Sequence, residues 1–168
     1  MNIPVFHDDQ HGTSIVVAAG LLNALELTHK KIEKVKIIFS GAGAAAISCA
    51  KLLLKLGVKK ENLFMFDSVG LLTEARRPEL NKYKALFIQK NNQTLTEALQ
   101  GADVFVGVSK GNLISGEMIA KMAQQPIIFA LANPIPEISY DEAKKYVHDA
   151  IVATGRSDFP NQVNNVLG

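Results

Sequence analysis

Two histidines, two aspartates and a glutamine fill five consecutive positions, His7 to His11, in the stretch "IPVFHDDQHGT". Such groups bind metals, move protons or hold turns, and their types alone leave three readings open. His7 and His11 have the i, i+4 separation of a zinc pair, which requires the stretch to be helical. Proline before it and glycine after it favour a turn, in which Asp and Gln side chains bond nearby backbone and Thr13 or Ser14 caps the following helix, with no ligand at all. A carboxylate at a strand-to-helix junction also suits Mg²⁺ or Mn²⁺, which take oxygen ligands and are commonly held by one or two carboxylates with substrate oxygens and water.

The second chemical feature is "FSGAGAAA", which sets Gly41-x-Gly43-x-x-Ala46 directly after a short apolar run. Gly41 permits a tight turn, Gly43 lets backbone approach a pyrophosphate, and Ala46 keeps the next helix close to its strand. The first helical residues, Ala44, Ala45 and Ala46, then offer free N–H groups and the positive end of a helix dipole to phosphate. Asp67 closes the next apolar run, at the spacing of an acid that binds the adenosine ribose. Next to that ribose it repels a 2′-phosphate and favours NAD. Arg76, Arg77, Lys82 and Lys84 follow, and any of them would neutralise such a phosphate. The balance leans slightly to NAD over NADP.

These residues need elements to position them. Thr13 to Leu27 has helical spacing of apolar residues. Lys34 to Gly41, Asn62 to Asp67, Ala85 to Ile88, Ala102 to Ser109, Pro126 to Pro134 and Ala150 to Gly155 read as strands, short and rich in β-branched and aromatic residues. Between them, Ala44 to Gly57, Leu95 to Gln100, Ser115 to Gln124 and Ser139 to Val147 read as helices. Strands that are nearly continuous apolar runs and alternate with helices predict a doubly wound, mostly parallel sheet, an α/β/α three-layer, Rossmann-like fold. In such sheets ligands bind beyond the carboxyl ends of the strands. Those ends carry Gly41, Asp67, Ser109, Asn133 and Gly155.

Composition sets the outer limits. The chain has 168 residues, 48% of them hydrophobic, enough for one domain with a full core. A net charge of +2, without a long Lys/Arg run, gives no basis for nucleic-acid binding. No apolar run spans a bilayer, so no membrane partner is expected. The single cysteine, Cys49, fits a reducing, cytoplasmic setting. The chain looks cut at both ends: chemistry-bearing residues stand within ten positions of Met1, and "FPNQVNNVLG" reads as the entry to a helix.

Taken in order and spacing, "PVFHDDQHGT", "GAGAAA", "FALANPIPE" and "ATGRSDFPNQVNN" resemble the bacterial-type malic enzymes, over essentially the whole chain. The resemblance implies a dinucleotide-binding domain over residues 1–168 of a longer enzyme, one that oxidatively decarboxylates malate to pyruvate and CO₂ with NAD or NADP and Mg²⁺ or Mn²⁺. It implies that Asp9 binds the metal and that Asp8 is its active-site neighbour. Gly41, Gly43 and Ala46 match the pyrophosphate loop, Asp67 the acid after the second strand, and Asn133 an asparagine near substrate and nicotinamide. Ser109 stands at a strand end on the same cofactor side. Asn164 and Asn165 match a pair of which one touches substrate. The family's other metal ligands, an adjacent Glu-Asp pair, and its catalytic tyrosine and lysine have no match here, so the fragment alone is expected to be inactive. The parent enzyme is expected to be a homo-oligomer. A malolactic-type enzyme and a non-catalytic nucleotide-binding module are the alternatives.

Overall fold

The computed structural model describes residues 2–168. Five strands form one parallel sheet in the order β2-β1-β3-β4-β5. They are β1 (Ile37–Ser40), β2 (Leu63–Phe66), β3 (Val104–Gly107), β4 (Ile127–Ala130) and β5 (Ile151–Thr154). The helices are α1 (Asp8–Leu27), α2 (Ala44–Lys55), α3 (Leu95–Leu99), α4 (Gly116–Ile119) and α5 (Tyr140–Tyr146).

Strand alternation divides the core between two faces, as a period of two demands. Ile37 and Phe39 of β1, Val104 and Val106 of β3 and Phe129 of β4 pack with α1 and α2 through Val17, Leu21, Cys49 and Leu53. Ile38, Phe105, Ile128 and Val152 point the other way, onto Ala98, Leu99, Ile119 and Ala143 of α3, α4 and α5. Both faces are covered, which is why the strands read as unbroken apolar runs, and the three-layer expectation holds. Among the described residues, no helix is long and apolar enough to cross a membrane.

The structure corrects three local expectations. The stretch after His7 is helix, not turn: α1 begins at Asp8, where Asp8 and Asp9 sit favourably against the positive end of the helix dipole. Thr13 and Ser14 therefore lie inside the helix and cap nothing; their hydroxyls donate back to the Asp9 carbonyl at 3.1 Å and the His11 carbonyl at 2.8 Å. Ala85 to Ile88 is not a strand. Asn81 Oδ1 accepts the N–H groups of Tyr83 and Lys84, both at 3.0 Å, and turns the chain into a 3-10 helix over Lys84–Phe87. A short apolar run does not by itself separate strand from helix, and here only Phe87 and Ile88 are buried while Leu86 is exposed. The helix expected over Ser115 to Gln124 is α-helical only over Gly116–Ile119, although Ser115 does cap it, accepting the Met118 N–H at 3.3 Å. The final segment forms a 3-10 turn at Asn165–Leu167.

The sheet order creates a switch point. From β1 the chain moves outward to β2, then crosses back to β3 on the other side of β1, so the turns after β1 and β3 leave in opposite directions and open a crevice. Gly41 meets this demand: its φ is +120°, and a Cβ there would lie 2.9 Å from the Val108 carbonyl oxygen. Gly41→Ala is expected to cost about 1–3 kcal/mol through backbone strain alone, measurable as a lowered midpoint in urea unfolding.

Candidate functional site

Three adjoining hollows run along the carboxyl ends of the strands. The first, about 620 Å³, lies beside Asp67, Ser68, Gly70 and Arg76. The second, about 590 Å³, is floored by Ser40, Gly41, Gly43, Asp67, Lys84 and Ser109. The third, about 270 Å³, is lined by Asp9, Ala45, Ser109, Asn133, Asn164 and Asn165. Shared residues join them: Ser40 and Asp67 link the first to the second, and Ser109 links the second to the third. A larger hollow of about 690 Å³ lies by Lys60, Phe64 and Gln89 and contains, of the residues singled out above, only Arg77, so size does not mark the site.

At the centre, α2 starts with Gly43 as its N-cap and no side chain capping it. The first-turn N–H groups of Ala44, Ala45 and Ala46 have no intrahelical partner by the geometry of any helix start. Nothing within 4 Å would meet a Cβ at Gly43, so the approach to these donors is open. A diphosphate fits this position. Across the crevice, the hydroxyls of Ser40 and Ser109 hydrogen-bond at 2.9 Å and tie β1 to the turn after β3.

At one end, Asp67 is held by cations. Its Oδ2 accepts from Arg76 at 3.0 Å and Lys84 at 2.9 Å, while Oδ1 accepts from the backbone N–H groups of Val69 and Gly70. Burial alone would push this carboxyl up. The bonds from Arg76, Lys84 and Val69, with the charge of Lys84, outweigh burial and hold it well below the ordinary carboxylate range. Of the four basic residues in this stretch, Arg77 pairs instead with Glu74 at 2.6 Å, and Lys82 lies over the Tyr83 ring. Arg76 Nε is buried and has no hydrogen-bond partner among the described residues, a donor left over beside Asp67.

At the other end, the first turn of α1 meets the C-terminal 3-10 turn. Asn165 Nδ2 donates to both acids, to Asp9 Oδ1 at 3.1 Å and to Asp8 Oδ2 by a short bond. The two asparagines thus differ. Asn164 is engaged with backbone, donating to the Gly155 carbonyl and accepting from the Val166 N–H, both at 3.0 Å. Asn165 alone of the pair reaches the acids. His11 packs on Phe6, with ring centroids 5.6 Å apart. Among the described residues no three His, Cys, Asp or Glu side chains gather to hold a metal. Asp9 and Asp8 fit one side of an oxygen-ligand site, with further ligands required.

Sequence reasoning missed Glu137. Its side chain is 0% exposed, and it accepts the Ser109 N–H at 3.0 Å and the Ala132 N–H at 3.1 Å. Burial pushes its carboxyl up, and those two N–H groups offset this in part. The signal was present as an acid among apolar residues and prolines, "NPIPEI", shortly after the strand β4. Thr13 also lines the third hollow.

Parallel strands, a bare glycine-rich helix start at the switch point and an acid at the end of the second strand define a nicotinamide-dinucleotide-binding α/β domain. A family model described as "Malic enzyme, NAD binding domain" matches residues 10–167. The NADP-dependent malic enzyme of Halomonas elongata is 55% identical over 99% of this chain, which spans 40% of that relative. The NAD-dependent malic enzyme of Rhizobium meliloti is 51% identical over 99% of the chain, which spans 22% of it. The crystal structure of the NAD-dependent malic enzyme of Thermotoga maritima superposes with a TM-score of 0.90 at 52% identity, covering all of this chain and 45% of that one. The chain belongs to the malic enzyme family, as its NAD-binding domain.

The depressed carboxyl of Asp67 makes a pH prediction. A group whose folded-state pKa lies below its unfolded value stabilises the fold above the unfolded value, about 4 for Asp. That contribution is lost as pH falls through the folded value. Urea unfolding of wild type and Asp67→Asn is expected to differ most above about pH 4 and to converge on acidification.

Proposed function

We propose that the full-length protein oxidatively decarboxylates malate to pyruvate and CO₂, with this chain binding the nicotinamide dinucleotide along the three hollows and contributing Asp9 to a divalent metal site. The reading is carried by one observation: Asp9 lines the same hollow as Ala45 at the α2 start, together with Ser109 and Asn133. A metal acid and a phosphate-binding helix end thus share one cleft, which a pure nucleotide-binding module does not need.

When bound, the dinucleotide supplies the hydride acceptor and the metal a Lewis acid that stabilises negative charge on the substrate oxygens. The chain's own residues bind and orient. Gly41, Gly43 and the first-turn amides of α2 hold the pyrophosphate. Ser109 and Asn133 line the nicotinamide end. Asp9 offers carboxylate oxygens to Mg²⁺ or Mn²⁺, and Asn165 holds Asp8 and Asp9 in one orientation through its amide. Asn164 shapes the turn that carries Asn165.

At the ribose end, the pairing of Asp67 turns the slight lean to NAD read from the sequence toward NADP. Asp67 has both oxygens occupied and its charge offset by Arg76 and Lys84, so its repulsion of a 2′-phosphate is weak. Lys84 and Arg76 then serve as phosphate partners. Lys84→Gln is expected to weaken NADP by roughly tenfold and NAD little, the loss of one hydrogen bond to a charged group. Equal losses for both, in steady-state kinetics, would remove Lys84 from cofactor choice.

Asp9→Asn in the full-length protein is expected to abolish metal-dependent malate oxidation while leaving dinucleotide affinity unchanged. Reduced-dinucleotide fluorescence titration beside a malate-dependent rate assay checks both halves. The chain of residues 1–168 by itself is expected to produce no reduced dinucleotide from malate and Mn²⁺, since it carries one side of the metal site.

A further inference from the structure

Glu137 is the one charged side chain buried completely among the described residues. Burying a carboxylate is unfavourable, and well-packed apolar replacements of buried charges are often neutral or stabilising. Stability is therefore a poor reason for an acid at this position, and its contacts supply a better one. Oε1 accepts the N–H of Ser109, in the turn after β3, and Oε2 accepts the N–H of Ala132, in the turn after β4. One carboxylate thus spans two walls of the third hollow. Only a carboxylate presents two acceptor oxygens in this fork; a carboxamide would turn an NH₂ donor toward one of the two N–H groups.

The surroundings are built for it. β3 ends in Gly107, where any Cβ would collide with the Glu137 carboxyl. The Glu137 backbone joins the same two turns, its carbonyl accepting from Leu113 at 2.9 Å and Ile114 at 3.2 Å, while Asn112 N–H donates to Pro136 at 3.0 Å. Gly111 lets the turns close on each other: a Cβ there would lie 2.6 Å from the Ile135 carbonyl oxygen. From Ser109 the tie continues to β1 through the Ser40 hydroxyl. Asn133 follows Ala132 directly in the chain.

We propose that Glu137 is a positioning residue for the nicotinamide end of the cleft: its carboxylate sets the separation of Ser109 and Asn133, and through them the placement of the ring. This rests on the dinucleotide reading above. It assigns Glu137 no contact with cofactor or substrate and no proton transfer. Small displacements of reacting groups are enough to lower turnover strongly, on the order of 10²-fold for about 1 Å.

The test uses Glu137→Gln in the full-length protein and two probes. One is the reduced dinucleotide, followed by its fluorescence. The other is ADP-ribose or its 2′-phosphate, matched to the preferred dinucleotide, which lacks the nicotinamide. The expected result is a folded variant whose dinucleotide Kd rises roughly tenfold, whose fragment Kd is unchanged, and whose kcat falls more than its malate KM changes. Parallel weakening of both probes would mark a general structural role and overturn the inference, as would wild-type affinity for the dinucleotide. If Glu137→Gln does not fold, Glu137→Asp replaces it, keeping the charge but withdrawing the oxygens by one methylene; the same split between probes supports the inference and its absence overturns it. A wild-type protein that binds no dinucleotide overturns the underlying reading and this inference together, whereas wild-type binding with an unaffected variant overturns this inference alone.

Discussion

The close approach of two turns at the centre of the sheet governs everything at the carboxyl ends of the strands. β1 lies between β2 and β3, and its turn and that of β3 must leave in opposite directions. They part only after touching, with Gly41 against the Val108 carbonyl and Ser40 bonded to Ser109. A side chain at Gly41 would separate them. In the crevice that results, a bare helix start, the end of β2 and the turns after β3 and β4 face a common space, and the hollows follow it.

The cleft is electrostatically graded. At one end, two cations meet a single carboxylate with little exposure, which leaves a surplus of positive charge and an unpartnered Arg76 Nε. At the other end, two carboxylates converge on a neutral amide, leaving a surplus of negative charge. A ligand with phosphates at one end and a cationic ring at the other matches this gradient. A divalent cation matches the acidic end on its own. The gradient spans residues from position 8 to position 165, so it exists only when α1, the loop after β2 and the C-terminal turn are brought together by the sheet.

Legibility followed the range of the forces involved. The parallel sheet was readable because continuous apolar strands between helices leave few alternatives, and the phosphate loop because its glycines answer a local steric demand. The region before Thr13 was misread: its proline and glycine suggest a turn, yet the chain is helical from Asp8. Gly12 is tolerated in that helix because a Cβ there would crowd the Asp8 carboxylate and approach the Asn165 carbonyl oxygen to 3.0 Å. Part of that requirement comes from a segment more than 150 positions away, since Asn165 also holds the Asp8 carboxylate. Ala85 to Ile88 was misread for a local reason: Asn81 sets a turn just before it, and the run winds into a 3-10 helix that buries Phe87 and Ile88 and leaves Leu86 exposed.

By itself the sequence determined the α/β architecture, the glycine-rich turn before α2 and the family, since these depend on local sterics, hydrophobic period and motif spacing. Only the tertiary structure decided how the polar groups are paired. It joined Arg76 and Lys84 to Asp67, separated the role of Asn165 from that of Asn164, and brought Glu137 between two turns. Hydrogen bonds and ion pairs act over a few ångströms between residues that can be far apart in the chain, and no spacing in the sequence records which of them will meet.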